Sequence, residues 1–118
     1  MDGRGRQGPG VLKARTALVV GAGIGGLAVA RRLRRILPAG DRVVVVERER
    51  SQVFGPALLW YIVGASEPAQ FTRPLEALRT GGIDLVHGEV SRIDPAGVTV
   101  EAGGRTIAGD AMVVALGA

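Results

Sequence analysis

The chain of 118 residues predicts an α/β fold: a parallel sheet with an antiparallel β-meander inserted into it. Three features carry this prediction. A strand–helix–strand pattern fills 16–47, and its second strand holds four consecutive valines, Val43–Val46. Such a run suits a strand covered on both faces, as parallel strands are. Short apolar segments then follow one another between 89 and 107, with a Gly-Gly pair before the last, which is a hairpin signal.

Residues 1–15 are polar, rich in Gly and Arg, and without period, so they read as a flexible arm ahead of a domain over 16–118. Thr16–Val20 is a short buried strand ending at glycine. From Ile24 to Leu37, Gly26, Ala30, Leu33 and Leu37 recur at helical spacing, and Arg31, Arg32, Arg34 and Arg35 fall mainly on the other faces. Pro38 and Gly40 end the helix. Arg42–Glu47 is the second strand, and its crossover from the first is expected to be right-handed.

The middle of the chain is less regular. Val53–Gly64 reads as an apolar loop or short helix, and Pro74–Thr80 as a helix of about two turns with proline at its start. Ile83–His87 suits a third parallel strand. Glu89–Ile93, Val98–Glu101 and Arg105–Ile107 form the meander, with Gly103-Gly104 as its second turn. Asp110 precedes a last apolar strand, Ala111–Leu116, ending at Gly117-Ala118. A strand closing in a glycine turn ordinarily leads onward, so an incomplete domain is expected.

Composition narrows the function classes. The hydrophobic share of 47% argues against global disorder. With no cysteine and one histidine, disulfides, thiolate metal sites and a cysteine nucleophile are excluded within these residues, and no metal site is expected. The net charge of +4 permits anionic partners without specifying one, and aromatics at 3% argue against a nucleic-acid stacking platform. The opening MDGRGRQGPG has no apolar core of a secretion signal, and the longest mostly apolar stretch, Val53–Ala65, is short of the roughly 20 residues of a membrane span. A cytoplasmic location follows by default, with peripheral attachment at the inner face of the cell membrane left open.

The chemistry lies in Gly21-Ala22-Gly23-Ile24-Gly25-Gly26, a G-x-G-x-x-G. In a chain with 19 glycines the motif alone says little. Its context says more: an apolar strand before it, an amphipathic helix after it, and Glu47 ending the next strand 21 positions beyond Gly26. Gly21 allows the tight turn, Gly23 allows a pyrophosphate to approach the backbone, and Gly26 allows close packing of helix on sheet. The N–H groups around Gly23 to Gly26 open a helix whose dipole favours an anion. Glu47 can accept hydrogen bonds from ribose hydroxyls and would repel a 2′-phosphate, which disfavours NADP. The whole is Rossmann-like.

Three stretches are similar to the N-terminal FAD-binding part of the pyridine nucleotide-disulfide oxidoreductase superfamily. They are VVGAGIGGLAVARRLRR with VVVVERE; FGPALLWYIVG (Phe54–Gly64) followed by EPAQFTRPLEALRTGGIDLVHGEVSRIDP; and GDAMVVALGA. Within the superfamily the chain most resembles sulfide:quinone oxidoreductases and their relatives, flavocytochrome c sulfide dehydrogenases and type II NADH dehydrogenases. Aromatic-ring hydroxylases share GAGIGGL, but their second flavin motif lies much further on, whereas Gly117 follows Gly21 by 96 positions here. Leu116 stands where the family's A-T-G motif has threonine, so a hydroxyl contact is lost.

The resemblance implies FAD as cofactor. Gly21, Gly23 and Gly26 would surround its pyrophosphate, with N–H groups from Ile24 and Gly25. Glu47 would hold the adenosine ribose, Arg48 would flank adenine or ribose, and Val90 would meet the adenine through its backbone. Pro56 would approach the isoalloxazine, and Ala115 and Gly117 would pass close to the flavin phosphate-ribityl part. The family's redox cysteines, second nucleotide-binding domain and C-terminal membrane-associating segment have no counterpart in these residues. Quinone, and sulfide or NADH, would therefore react only in a complete protein, and no catalytic residue is assigned to this chain. Two alternatives stay open: a type II NADH dehydrogenase fragment, and a non-catalytic module binding NAD or an ADP-like ligand. His87, Trp60 and Tyr61 read as structural, and the arginines of the first helix as a solvated face.

Overall fold

The computed structural model describes residues 13–53, 62–64 and 72–117. Its centre is a four-stranded parallel sheet. β1 (Thr16–Val20), β2 (Arg42–Glu47), β5 (Asp84–His87) and β9 (Ala111–Val114) stand in the order β5-β2-β1-β9. β1 pairs in parallel with β2 on one side and with β9 on the other. The helix α1 (Ile24–Ile36) joins β1 to β2. β6 (Val90–Asp94), β7 (Thr99–Ala102) and β8 (Arg105–Ala108) form the antiparallel meander. The α/β architecture expected from the sequence is the one observed.

The four valines show why the sheet is covered on both sides. Side chains alternate along a strand, so a continuous apolar run needs two apolar neighbours. Val43 and Val45 pack with Val19, Leu27 and Ala30 beneath α1 and with Leu75, Leu78 and Leu85. Val44 and Val46 pack with Leu18, Val20, Val100 and Ala102 beneath the meander. The result is three layers: helix, parallel sheet, antiparallel sheet. Leu18 is fully buried in the second of these cores. Leu18→Ala is expected to lower stability by about 2–5 kcal/mol, the usual cost of a leucine-sized cavity, measured by urea unfolding.

The ends of elements are fixed by specific bonds. Thr16 N–H donates to Asp110 Oδ2 at 2.7 Å, and Asp110 N–H donates to the Thr16 carbonyl at 2.7 Å, which aligns the starts of β1 and β9. Arg34 closes α1 by donating to the carbonyls of Asp41 (2.7 Å) and Pro38 (2.6 Å). The Arg15 N–H donates to the buried Asp41 at Oδ1, and the Arg15 carbonyl accepts from Arg42 N–H, so backbone pairing already begins at Arg15. Gly103 and Gly104 both have positive φ, 58° and 77°, as a two-residue hairpin turn requires.

Several boundaries differ from the sequence expectation. The segment expected as a helix over Pro74–Thr80 is a 3-10 helix, Leu75–Gly81, with Pro74 as its extended cap and Gly82 left-handed behind it at φ 81°. Its Glu76 and Arg79 pair at 2.6 Å, three residues apart, where a 3-10 helix stacks side chains. The helix α1 ends at Ile36, with Leu37 as extended cap, and the last strand ends at Val114 rather than Leu116. The meander strands begin or end one residue later than expected. A further antiparallel pair, β3 (Ser51–Val53) with β4 (Thr72–Pro74), was not expected. Most of Val53–Gly64, with Trp60 and Tyr61, lies outside the described residues. Among the described residues no helix is long and apolar enough to cross a membrane.

Candidate functional site

In an open parallel sheet the strands' carboxyl ends form a crevice where the connections diverge to either side. Here β1 is that divergence point, with α1 leading to β2 and β9 on the opposite side. A cavity of about 710 Å³ lies there. Ala22 and Gly23 line it after β1, Glu47 to Glu49 after β2, Gly88 to Val90 after β5, and Leu116 and Gly117 after β9. Four strand ends thus meet at one cleft.

The glycines of the turn divide into two kinds. Gly21 has φ 106°, and a Cβ there would run into the Ala115 carbonyl. A Cβ on Gly26 would run into the Gly21 carbonyl. Both glycines are therefore demanded by the fold itself. Gly23 is different: its φ of −73° suits any residue, and a Cβ there would meet nothing within 4 Å among the described residues. Gly25 is equally open. The fold does not require glycine at these two positions, but a group lying against the backbone would.

The start of α1 fits an anion. Gly23 is its N-cap, no side chain caps it, and its first turn carries no acidic residue. The first N–H groups of a helix have no intrahelical partner, and the dipole there is positive. The Gly21 N–H is already committed to the Val46 carbonyl at 2.9 Å, so it serves the turn rather than a ligand.

Glu47 lies half-buried at the end of β2, next to this helix start. Its Oε1 accepts from Ala22 N–H at 2.7 Å and its Oε2 from Glu49 N–H at 3.0 Å. Its backbone carbonyl accepts from Gly88 N–H at 3.0 Å, which brings Gly88, Glu89 and Val90 alongside. Gly88 in turn touches the Gly103 backbone, so the meander's hairpin turn packs behind the cleft wall. Arg48, expected to flank an adenosine, has acidic neighbours: Glu49 at 3.2 Å and Glu89 at 3.9 Å. All three side chains are largely exposed, so these pairs are weak. This end of the cleft is acidic, with Glu47, Glu49 and Glu89 against Arg48.

The residues expected from the sequence therefore gather as follows. Gly21, Gly23, Ile24, Gly25 and Gly26 form the turn and helix start. Glu47, Arg48 and Val90 form the facing wall, and Ala115 and Gly117 close the β9 side. Ala115 donates its N–H to the Val20 carbonyl at 2.7 Å and backs onto Gly21. Gly117 has φ 79° and lines the cavity with Leu116, which is 55% exposed. Pro56 lies outside the described residues. His87 is bonded through Nε2 to the Glu49 carbonyl at 3.0 Å, which ties β5 to the segment after β2. Ala22, Glu49, Ser51 and Leu75 also line the cavity and were not singled out from the sequence. Ala22 was legible as part of the motif; the others carry no local signal.

Comparisons with known proteins agree with this fold. A solved structure of the sulfide:quinone oxidoreductase from Aquifex aeolicus superposes with a TM-score of 0.82 at 28% identity, covering 88% of this chain and 24% of that one. Reduced CoADR-RHD from Bacillus anthracis matches with a TM-score of 0.73 at 25% identity, over 87% of this chain and 20% of that one. NDH2 from Plasmodium falciparum, solved in complex with NADH, shares the fold with a TM-score of 0.70 at 15% identity, over 89% of this chain and 23% of that one. The chain thus spans about a quarter or less of each of these proteins. A search of the curated proteins found no match. The family model described as pyridine nucleotide-disulphide oxidoreductase matches residues 15–118, and the chain belongs to that family.

Proposed function

We propose that residues 16–118 are the FAD-binding part of a flavin-dependent oxidoreductase of the sulfide:quinone oxidoreductase kind, with 1–15 as an arm. The observation that carries this is the cleft itself. A helix start without a side-chain cap includes two glycines with no close neighbour among the described residues, and the Glu47 carboxylate stands beside it at the end of β2. That set of groups suits a nucleotide diphosphate with its ribose. The N–H groups of Ile24, Gly25 and Gly26 would hold the pyrophosphate, and Glu47 the ribose hydroxyls. Val90 would meet the adenine, with Arg48 beside it, while Ala115 and Gly117 would pass the ribityl side. FAD supplies the redox chemistry when bound; these residues bind and orient it. Sulfide or NADH as donor, and quinone as acceptor, belong to a complete protein: this chain covers 24% of the Aquifex aeolicus enzyme and 23% of NDH2, and it carries no cysteine for sulfur chemistry. Similarity to the Aquifex aeolicus enzyme supports the sulfide:quinone reading over the other family members.

The test is competitive titration. FAD is expected to bind, to be displaced by ADP-ribose, and to be left undisturbed by FMN, which lacks the adenosine. Displacement by FMN but not by ADP-ribose would put the flavin elsewhere. Glu47→Ala is expected to weaken FAD and ADP-ribose alike, by about 1–3 kcal/mol, because both present the same ribose. A loss confined to one ligand would contradict a shared adenosine site. No turnover of quinone with sulfide or with NADH is expected from the 118 residues alone, even with FAD added; robust turnover would overturn the division of labour proposed here.

A further inference from the structure

We infer that Glu47 is also a positioning residue for the glycine turn, holding it in place through the Ala22 N–H before any ligand arrives. The inference rests on the nucleotide site proposed above but concerns a different contact. Two adjacent turn residues are tied to two adjacent residues of β2: Gly21 N–H to the Val46 carbonyl at 2.9 Å, and Ala22 N–H to Glu47 Oε1 at 2.7 Å. Ala22 is buried while Glu47 is in place, so the carboxylate is the acceptor its N–H has, and removing it opens that N–H to the cleft. The other oxygen holds Glu49 N–H at 3.0 Å, which fixes the chain leaving β2 at the cleft rim.

The geometry leaves room for both roles. A carboxylate offers about four acceptor sites, and two are taken by described residues. The remaining two match the two hydroxyls of a ribose, so ligand and turn can be held at once by one side chain. A ribose contact made in this way would couple to the phosphate end, because the same group sets where Ala22, and hence the cap Gly23, stands. An amide at 47 cannot do this. One of its ends is a donor, and it would face either Ala22 N–H or Glu49 N–H, donor against donor.

The test separates the turn from the ribose. In the ligand-free chain, amide hydrogen exchange is followed at Ala22 and Glu49, with Val19 and Val45 in the sheet as internal references. Glu47→Ala is expected to speed exchange at Ala22 by about 10-fold or more, the scale of a hydrogen bond to a charged acceptor, with the sheet amides unchanged. Glu47→Gln, which keeps the side-chain size, is expected to speed exchange at one of the two amides. Unchanged exchange at both amides in either variant with an intact sheet would overturn the inference. Binding of ADP and of 2′,3′-dideoxy-ADP is then compared. The positioning role predicts that Glu47→Ala weakens both ligands, the dideoxy compound by about 5- to 20-fold. Loss for ADP alone would reduce Glu47 to a ribose contact, overturning this inference and leaving the site standing. Failure of ADP to bind the unsubstituted chain would instead remove the site, while the exchange measurement would still decide the tether.

Discussion

Gly23→Val is expected to reduce FAD and ADP affinity by at least about 100-fold, close to 2.7 kcal/mol, while the sheet stays folded. Gly23 has a φ of −73° and open space where its Cβ would be, so valine meets neither backbone strain nor a clash among the described residues. The cost to the fold is that of a poor residue at a helix N-cap, about 1 kcal/mol or less relative to glycine. The cost to the ligand is much larger. The added methyls occupy the place where a pyrophosphate would lie against the first N–H groups of α1, and hydrogen bonds to a charged group are lost together. Titration gives the affinity and urea unfolding gives the stability. Unchanged affinity would remove the phosphate cradle from the account.

Gly21→Ala has the opposite signature. Its φ of 106° is strained for any side chain, and the new Cβ would press on the Ala115 carbonyl, which is backbone and cannot rotate away. Strain of about 1–3 kcal/mol and overpacking of a similar size add to an expected loss of about 2–6 kcal/mol. Domains of this size are commonly stable by about 5–15 kcal/mol, so the variant should unfold at much lower urea and lose ligand binding through the fold. Stability within about 0.5 kcal/mol of the parent would show that β9 is not seated against the turn as described. The pair of variants separates what the fold needs from what the ligand needs at positions two residues apart.

The contrast between Gly21 and Gly23 also marks how far the sequence could be read. The motif named both glycines, but only the three-dimensional neighbours show that one is held by Ala115 and that the other has no close neighbour among the described residues. The four valines revealed a strand covered on both faces because alternation is a local property. The Gly103-Gly104 turn was equally legible, since φ is set within the pair. β3 and β4 were not, because three residues each, with Pro74 closing β4, leave no period to detect. The 3-10 form of 75–81 was hidden for a related reason: seven residues between Pro74 and Gly82 are too few to show whether the repeat is 3.0 or 3.6. Arg48 and Glu89 meet only because β2 and β5 are neighbours, so that ion pair has no signal in the order of residues, unlike the pair Arg48 makes with the adjacent Glu49. Glu47 was found by its distance from Gly26, while its bond to Ala22 spans 25 positions and depends on the register of β1 and β2.

In the site proposed above, the ADP half of FAD would lie between the start of α1 and the end of β2. The most direct measurement is a two-dimensional amide NMR titration of the labelled chain with FAD, which reads weak binding as readily as strong. Shifts are expected to concentrate at Gly23, Ile24, Gly25 and Gly26 and at Glu47 to Glu49, with smaller ones at Val90 and Gly117. Shifts absent from the glycine turn, or confined to the far ends of the meander strands, would contradict the proposed site.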